Sequence, residues 1–340
     1  MKILKLGDLH FGVKQDDAWV QNLQSKLIDL AIEYSKANGI KHWIQAGDWF
    51  DVRKAITHKC MEFNREQCQK ISDAGIHIDV IVGNHDATFK NTITPNACTE
   101  LLTQWSNITV YDKPTTVEYD GVFVDLIPWM CDENTTEIME HIKTSSAEYC
   151  VGHWELNGFY FYKGMKSHGL EPDFLKKYKE VWSGHFHTIS KAANVTYLGT
   201  PYTITAGDEN DERGFWVFDT SELKSTFVPN PDMWHRRIYY PFEGKIDAKE
   251  YTNLSVRVIV EQVDKDLPKF ESDMEQVVHE LRVVSKVDSS SDMDTDSDTV
   301  EVKSITDLME EYIDGIAECT PEDKTAIKQF SKQLWVECTS

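Results

Sequence analysis

Five short apolar segments of this chain each end in a glycine that is followed by Asp, Asn or His. Each segment has the length and composition of a buried strand. Ligands of α/β proteins usually bind at the carboxyl ends of strands, and a glycine there permits close backbone approach or a positive φ. The repeated polar ending therefore predicts that the strands bring their last residues to one edge of a sheet. The five endings are Gly7-Asp8-Leu9-His10, Gly47-Asp48-Trp49-Phe50-Asp51, Gly83-Asn84-His85-Asp86, Gly152-His153 and Gly184-His185-Phe186-His187.

The spacing of the apolar residues predicts an α/β fold. Residues 1–86 read as strand, helix, strand, helix, strand, which implies parallel strands joined by crossover helices. Tyr119-Asp120-Gly121, between two alternating runs, is typical of a hairpin turn. The expected strands are 3–6, 41–46, 76–82, 148–151, 179–183, 194–198 and 214–218, and the expected helices are 18–37, 57–73 and 133–143.

Changes in composition divide the chain into four parts. Residues 1–230 carry the polar strand endings, and residues 231–286 have the pattern of a small α+β cap. Within the cap, residues 254–263 alternate as a strand, and Pro268 opens an expected helix that continues to Val284. Residues 287–302 are acidic and low in complexity, which predicts a disordered linker. Residues 303–340 have the pattern of a helix pair.

The two C-terminal segments are amphipathic but too short to bury their apolar stripes alone, because chains below about 40 residues lack a sufficient core. They either fold back on their own domain or lay these stripes on a partner, and the second interpretation is favoured. The residues expected to contact the partner are Leu308, Tyr312, Ile316, Phe330 and Leu334.

The segment 157–169 interleaves aromatic residues with lysines and leaves two interpretations open. Aromatic side chains stack on bases, and lysines contact phosphates, in proteins that bind single-stranded nucleic acid. The alternative is an ordinary surface hairpin whose aromatic side chains pack inward.

The composition restricts what the chain binds and where it works. A net charge of −22 argues against broad electrostatic wrapping of nucleic acid, although bound divalent ions or a basic partner would offset part of it. Seven scattered cysteines without Cys-x-x-Cys pairs indicate reduced thiols in the cytoplasm rather than a disulfide framework. We find no signal peptide and no run of about 18 apolar residues, so no membrane association is expected.

The polar side chains at the strand endings form a mixed set of oxygen and nitrogen donors. The set is too hard for a thiolate site and too rich in nitrogen for a Mg²⁺ or Ca²⁺ cage, so it suits Mn²⁺, Fe or Zn²⁺. Seven ligands exceed the need of one ion but fit two ions that share Asp48, as in two-metal phosphoryl-transfer sites. His85 is the candidate for an unmetallated imidazole that stabilises the transition state or protonates the leaving group. The seven candidate ligands are Asp8, His10, Asp48, Asn84, His153, His185 and His187.

The five motifs, in this order, resemble the signature of the calcineurin-like metallophosphoesterases. Leu198-Gly199-Thr200-Pro201, with the following Asp208–Phe215, further resembles the double-strand-break repair nucleases of the SbcD type, the bacterial counterparts of the eukaryotic meiotic-recombination-eleven nuclease. The chain is similar along nearly its whole length to the recombination endonuclease subunits of T-even-like bacteriophages.

This resemblance implies a β-sandwich flanked by helices (αββα), and two Mn²⁺ ions, with Mg²⁺ as a weaker substitute. It implies 3′→5′ exonuclease and endonuclease action on DNA in double-strand-break repair and recombination. It also implies a homodimer that binds an SMC-like coiled-coil ATPase of the SbcC type through its C-terminal helices, in the host cytoplasm if the chain is phage-encoded.

The resemblance also implies a role for each matched residue. Asp8, His10, Asp48 and His187 would hold one ion, Asp48, Asn84, His153 and His185 would hold the other, and His85 would be the catalytic histidine. Asp51 and Asp86 would orient the ligands. Some family members carry His where this chain has Asp51, which argues against a direct catalytic role at that position.

Two other functions use the same residues. A phosphatase or small-molecule phosphodiesterase of the same superfamily would share the metal chemistry, but it would have little use for a docking tail and a cap. A non-catalytic scaffold is disfavoured because the set of metal ligands is intact.

Overall fold

A computed structural model of the protein describes residues 1–162, 165–209, 211–242, 244, 246–285 and five C-terminal residues, Ile313, Thr320, Lys324, Ile327 and Lys328. The chain divides into two compact units, Met1–Val287 and Asp288–Ser340. The predicted linker 287–302 and the expected partner contacts lie outside the described residues. These contacts are Leu308, Tyr312, Ile316, Phe330 and Leu334.

The first unit contains mixed strands and helices. The strands are β1 (Lys2–Leu6), β2 (His42–Gln45), β3 (His77–Ile81), β4 (Ile108–Tyr111), β5 (Thr115–Tyr119), β6 (Val122–Ile127), β7 (Tyr149–His153), β8 (Tyr160–Tyr162), β9 (Met165–Lys166), β10 (Glu180–Gly184), β11 (Ser190–Ala192), β12 (Val195–Tyr197), β13 (Gly214–Asp219), β14 (Lys224–Pro229), β15 (His235–Tyr240), β16 (Ser255–Val260) and β17 (Glu280–Ser285). The α-helices are α1 (Val13–Asp16), α2 (Ala18–Asn38), α3 (His58–Asp73), α4 (Ala97–Leu102), α5 (Thr135–Thr144) and α6 (Leu267–Glu275). The 3₁₀ helices are η1 (Pro172–Leu175), η2 (Ala206–Asp208) and η3 (Ala248–Tyr251). Within the described part of the chain, no helix is both long and apolar enough to cross a membrane.

Two six-stranded sheets share one plan. The strand order is β14-β13-β1-β2-β3-β4 in the first and β11-β12-β10-β7-β6-β5 in the second. The strands from β1 to β4 are parallel, as predicted for residues 1–86, and so are β12, β10, β7 and β6. The remaining strands, β13, β14, β11 and β5, pair antiparallel. Both sheets therefore contain four adjacent parallel strands whose carboxyl ends share one edge.

The two sheets pack face to face, and helices cover their outer faces. An apolar core between the sheets joins Ile44 of β2 to Val151 of β7 and Trp182 of β10. A second core lies between the first sheet and the helices α2 and α3, and a third lies between the second sheet and α5. These four layers are the αββα sandwich that the sequence resemblance implied, so the predicted fold class is confirmed.

Local sequence accounts for several element boundaries. The side chain of Asp17 accepts a hydrogen bond from the backbone N–H of Trp19 (2.8 Å) at the start of α2, and Gly39 ends this helix with φ 68°. Asp120 (φ 53°) and Gly121 (φ 81°) form the two-residue turn between β5 and β6, because such turns require positive φ at both positions. The helix predicted for 18–37 and the predicted hairpin are both confirmed.

The cap residues form a three-stranded sheet with its own apolar core. Strands β15, β16 and β17 are parallel, and α6 packs against them. The helix expected from Pro268 to Val284 is wrong, since α6 ends at Glu275 and β17 follows. The β-branched pair Val283-Val284 favours a strand, and pairing with β16 stabilises it. Leu281 of this strand reaches the same core as residues of α6, which explains why the apolar spacing resembled one continuous helix.

A buried glutamate joins the cap sheet to the sandwich. The carboxylate of Glu209, which follows η2, has a side-chain exposure of 1 % and lies 2.6 Å from the Nε atoms of Arg237 in β15 and Arg257 in β16. Nearby, the indole N–H of Trp19 donates to the carbonyl of Asn253 (2.8 Å). Because these contacts link α2 and the η2 loop to the cap strands, the cap is fixed to the first sheet.

The segment 157–169 contains the short antiparallel pair β8 and β9. Phe159 is buried, with its ring centroid 4.9 Å from that of Tyr197, whereas Tyr160 is 42 % exposed. The hairpin of the second interpretation is therefore present and one aromatic residue packs inward. Lys163 and Gly164 lie outside the described residues, and a contact with nucleic acid stays a prediction.

Candidate metal centre

The five predicted strand endings meet at one edge of the sandwich. β1, β2 and β3 are parallel neighbours in one sheet, and β7 and β10 are parallel neighbours in the other, so the residues after them face each other across the inner core. Two of the resulting groups of side chains have ligand atoms within 4.8 Å of one another. These groups are Asp8, His10 and His187, and Asp48, His153 and His185.

The first group combines one carboxylate with two imidazoles. Oδ2 of Asp8 lies 3.9 Å from Nε2 of His10 and 4.0 Å from Nε2 of His187. The two Nε2 atoms lie 3.0 Å from each other. All three side chains therefore direct potential ligand atoms into one small volume.

The second group adds the predicted asparagine. Oδ2 of Asp48 lies 3.3 Å from Nε2 of His153. The amide oxygen of Asn84 lies 2.8 Å from Nε2 of His153 and 2.9 Å from Nδ1 of His185. Together, the two groups include all seven candidate ligands from the sequence.

One carboxylate oxygen lies between the groups. Oδ2 of Asp48 is 3.3 Å from Nε2 of His153 in the second group and 3.9 Å from Nε2 of His10 in the first. The other oxygen, Oδ1, accepts the backbone N–H of His85 (2.7 Å), which fixes the rotation of the carboxylate. Asp48 is thus the residue that two ions could share.

Hydrogen bonds behind the imidazoles set their orientation. Nδ1 of His153 lies 2.8 Å from the carbonyl oxygen of Ala46, to which it can donate, so its Nε2 is left facing the second group. Nδ1 of His10 lies 3.2 Å from Oδ1 of Asp51. Contacts of this kind fix the tautomer and raise the basicity of a metal-binding imidazole, which is the role expected for Asp51.

Asp86 contacts backbone rather than the ligand side chains. Its Oδ2 accepts the N–H groups of Asp48 (2.9 Å) and Gly83 (2.8 Å), and its Oδ1 accepts that of Phe50 (2.9 Å). The carboxylate is 1 % exposed. It therefore ties the loop after β2 to the loop after β3 and holds Asp48 beside Asn84.

Three of the seven candidate ligands have unusual backbone conformations. φ is 46° at His10, 56° at Asp48 and 85° at His185. Non-glycine residues rarely adopt positive φ, and each such residue costs about 1–3 kcal/mol unless its surroundings enforce it. Strain of this kind concentrates at functional sites, and here it occurs at three candidate ligands.

Glycine is required where the ligand loops cross. A Cβ on Gly83 would lie 2.2 Å from Oδ1 of Asp48, and one on Gly184 would lie 2.2 Å from the carbonyl oxygen of Ala46 and 2.5 Å from Oδ1 of Asp8. Both contacts are far below van der Waals distance. The glycines of the motifs thus allow backbone and ligand side chains to approach each other.

Burial and the neighbouring charges shift the pKa values of Asp48, His153 and His10 in opposite directions. Burial alone would raise the pKa of Asp48, but the neighbouring His153 imidazole, together with His10, holds that pKa well below its usual range. Burial would lower the pKa of His153, yet the Asp48 carboxylate outweighs it and raises the pKa to about 9. For His10, burial is likewise outweighed by Asp51 and Asp48, and its pKa is also raised to about 9.

The remaining ligands are neutral near pH 7 or titrate just below it. Burial, with a smaller contribution from Asp48, raises the pKa of Asp8 to about 6. Burial and the nearby His153 lower the pKa of His185 to about 3, and burial and His10 lower that of His187 well below its usual range. Neutral imidazoles and ionised carboxylates are the forms that bind metals.

The donor set fits divalent cations. Lone pairs of imidazole nitrogen, carboxylate oxygen and amide oxygen converge on two neighbouring points, and no cysteine of the described residues belongs to either group. This combination suits Mn²⁺, Fe or Zn²⁺ better than a thiolate-seeking ion.

His85 lies beside the first group rather than within it. Its Nδ1 lies 2.6 Å from the carbonyl oxygen of Asp51, to which it can donate, and its ring centroid is 4.9 Å from that of His10. His10, Asp51 and His85 also form a third set of potential ligand atoms within 4.8 Å. This position beside the first group is compatible with either role, as ligand or as free imidazole.

Trp129 is a site residue that the sequence patterns missed. Its ring centroid lies 5.2 Å from that of His185 and 5.9 Å from that of His153. It follows β6, which is parallel to β7, but the motif Ile127-Pro128-Trp129 has neither a glycine nor a polar ligand. The available signal was its position two residues after a strand of the parallel set.

Comparison with known proteins gives one extensive match. The chain is 67 % identical over 339 residues to a protein named exonuclease subunit 1 from Enterobacteria phage T4, and the match covers 100 % of both chains. No family model matches. A solved structure of an archaeal phosphodiesterase covers 68 % of this chain and 100 % of its own, with 13 % identity and a TM-score of 0.38, which is too low to support an inference.

We expect the affinity of the centre for Mn²⁺ to rise with pH. His10 and His153, each with a pKa of about 9, carry protons at neutral pH that an ion must displace. Apparent affinity should therefore increase by about tenfold per pH unit for each proton displaced and level off above about pH 9. Titration calorimetry in buffers of different ionisation enthalpy measures both affinity and proton release.

The control for this titration is His58→Gln, which changes an exposed histidine on α3 and should leave the pH dependence unaltered. An affinity that is constant between about pH 6.5 and 8.5, with no protons released, would contradict the ligand roles of His10 and His153.

Proposed function

We propose that this chain, which belongs to the family of exonuclease subunit 1 of Enterobacteria phage T4, is a metal-dependent DNA nuclease. It would hydrolyse phosphodiester bonds as a 3′→5′ exonuclease and as an endonuclease in double-strand-break repair and recombination. The proposal rests above all on Oδ2 of Asp48, which lies within 3.9 Å of an imidazole nitrogen in each of the two ligand groups. A carboxylate in this position could bind both ions of a two-metal hydrolytic site.

The chain's own residues would hold the two ions at the ligand groups already described. Asp8, His10 and His187 would bind one ion, Asn84, His153 and His185 the other, and Asp48 would bind both. Mn²⁺ is the favoured ion and Mg²⁺ a weaker substitute, since imidazole nitrogen is a poor ligand for Mg²⁺. Such ions would supply Lewis acidity, stabilising charge on phosphoryl oxygens and acidifying water.

His85 is the candidate for proton transfer. Because its Nδ1 lies 2.6 Å from the carbonyl oxygen of Asp51 and would donate to it, Nε2 would carry a proton only in the imidazolium form, and that form would be the acid. A proton there could stabilise charge on the phosphate or move to the departing alkoxide. Asp51 and Asp86 would act by orienting His10 and Asp48 (3.2 Å and 2.9 Å, respectively).

A partner subunit is part of the proposal. The name of the phage relative includes the word subunit, which supports action in a complex. We propose a homodimer that binds an SMC-like coiled-coil ATPase of the SbcC type in the host cytoplasm. The division at 230/231, with the cap at 231–286, the linker at 287–302 and the helical module at 303–340, remains part of this proposal. Contacts would come from Leu308, Tyr312, Ile316, Phe330 and Leu334.

A phosphatase with the same ions is the competing function. The purified protein should degrade linear DNA when Mn²⁺ is present and should stop when it is chelated, while a chromogenic phosphomonoester should be a poor substrate. Asp48→Asn, which removes the shared charge, should abolish both reactions. Rapid hydrolysis of the monoester with DNA left intact would favour the phosphatase.

Replacing His85 with Ala should separate chemistry from metal binding. We expect the rate of DNA hydrolysis to fall by about 100-fold or more, because the proton donor is lost. The metal content, measured by mass spectrometry after dialysis, should stay near that of the wild type. A variant that loses metal would instead identify His85 as a ligand.

Deleting residues 303–340 should separate partner binding from catalysis. The shortened chain should keep Mn²⁺-dependent nuclease activity, since every candidate ligand lies between Asp8 and His187. It should no longer co-purify with the ATPase. If the partner still binds as tightly as it does to the full chain, the docking role of this module is refuted.

A further inference from the structure

Trp129 forms the outer side of the second ligand group. Its ring is tilted by 38° against that of His185, with 5.2 Å between centroids, and by 74° against that of His153, with 5.9 Å. His153 is fully buried and the side chain of His185 is 11 % exposed. Trp129 itself is half-buried. Part of its surface therefore contacts these two imidazoles and part is exposed to solvent beside them.

The backbone holds this tryptophan in a fixed position. The N–H of Trp129 donates to the carbonyl of Val82 (2.8 Å), the residue before Gly83-Asn84. The side chain also packs against the core beneath the first sheet. An aromatic ring that is positioned before binding loses little conformational entropy when a ligand stacks on it.

The charge of the protein favours a neutral contact at this place. The chain carries a net charge of −22, and the centre contains the buried carboxylates of Asp8 and Asp48. Electrostatic attraction to phosphates is therefore weak on this chain. Stacking of a base on an aromatic ring needs no positive charge and is tolerant of sequence, because every base has a π face.

We propose that Trp129 stacks on a nucleobase of the DNA strand, next to the phosphodiester that is hydrolysed at the metal centre. This inference rests on the proposed nuclease function and goes beyond it by assigning a residue that recognises the nucleotide. Trp129 would position the strand, so that the scissile phosphate faces the groups around Asp48. It would take any of the four bases and would fail to hold an abasic nucleotide.

The test combines removal of the ring with removal of the base. Single-stranded oligonucleotides of one sequence, with phosphorothioate linkages that resist hydrolysis and one abasic residue near either end, are titrated onto the protein with Mn²⁺, and the equilibrium affinity is measured. For the wild type, one or two positions should lose about 5- to 100-fold in affinity when the base is absent. Trp129→Ala should bind the intact oligonucleotide more weakly than the wild type does, by a similar factor. Removal of the base should then cause no further loss of affinity in this variant.

Two further variants separate stacking from packing. Trp129→Phe keeps an aromatic ring against His185 and should retain part of the base dependence. Phe123→Ala removes an exposed aromatic residue (47 %) from the opposite end of β6 and should behave as the wild type. Metal content should be equal in all three variants, and Phe123→Ala should hydrolyse methyl 4-nitrophenyl phosphate, which has no base, within about twofold of the wild type.

The outcomes distinguish this inference from the function on which it rests. A wild-type protein that does not degrade intact DNA under Mn²⁺ refutes the nuclease proposal. A protein that degrades DNA but has the same abasic penalty in Trp129→Ala as in the wild type refutes the stacking role alone. If Trp129→Ala and Trp129→Phe both lose metal, and both still lose affinity when the base is absent, the ring only supports His185 and the inference is wrong.

Discussion

The buried carboxylate of Asp86 is the group on which the arrangement of the metal centre depends, although it belongs to neither ligand group. It accepts backbone N–H groups from Asp48, Phe50 and Gly83 at 2.8–2.9 Å, and so joins two loops that leave neighbouring strands. An ionised carboxylate in an apolar interior is costly unless such donors satisfy it. Because the same bonds hold Asp48 at φ 56°, they also set the position of the one oxygen that lies between both groups.

The exchange of protons for cations follows from that geometry. The carboxylates of Asp8 and Asp48 lie among the imidazoles of His10 and His153, whose pKa values are both raised to about 9, that of His10 by Asp51 and Asp48 and that of His153 mainly by Asp48. The protons therefore offset the buried negative charge at neutral pH, and the centre can form before any metal binds. A divalent cation bound here would displace these protons and would offset the same buried negative charge.

The sequence predicted the site better than it predicted the cap, and the reason is physical. Parallel strands bring their carboxyl ends to one edge whatever the loops between them do, so Asp8, Asp48 and Asn84 could be grouped from strand endings alone, and the relationship to the phage protein confirms the family that these motifs indicated. In the cap, an apolar residue such as Leu281 reaches the core equally well from a helix or a strand, and pairing with β16 decided between them. Trp129 was missed because its place in the site depends on the rings of His153 and His185, which come from β7 and the loop after β10, while its own segment has neither the glycine nor the polar residue of the other strand endings.

Three arginines elsewhere in the fold form internal ion pairs, and this is relevant to how an acidic chain could bind DNA. Arg213 is fully buried and donates to Asp208 (2.9 Å), while Arg237 and Arg257 both bind the carboxylate of Glu209. These guanidinium groups fix the loop after η2 and the cap, so their charge is largely compensated inside the protein. These three arginines therefore contribute little to phosphate binding, and the net charge of −22 favours additional sources of binding free energy. Three proposed sources do not require the chain to carry positive charge of its own. They are cations at Asp48, base stacking on the uncharged ring of Trp129, and a partner subunit.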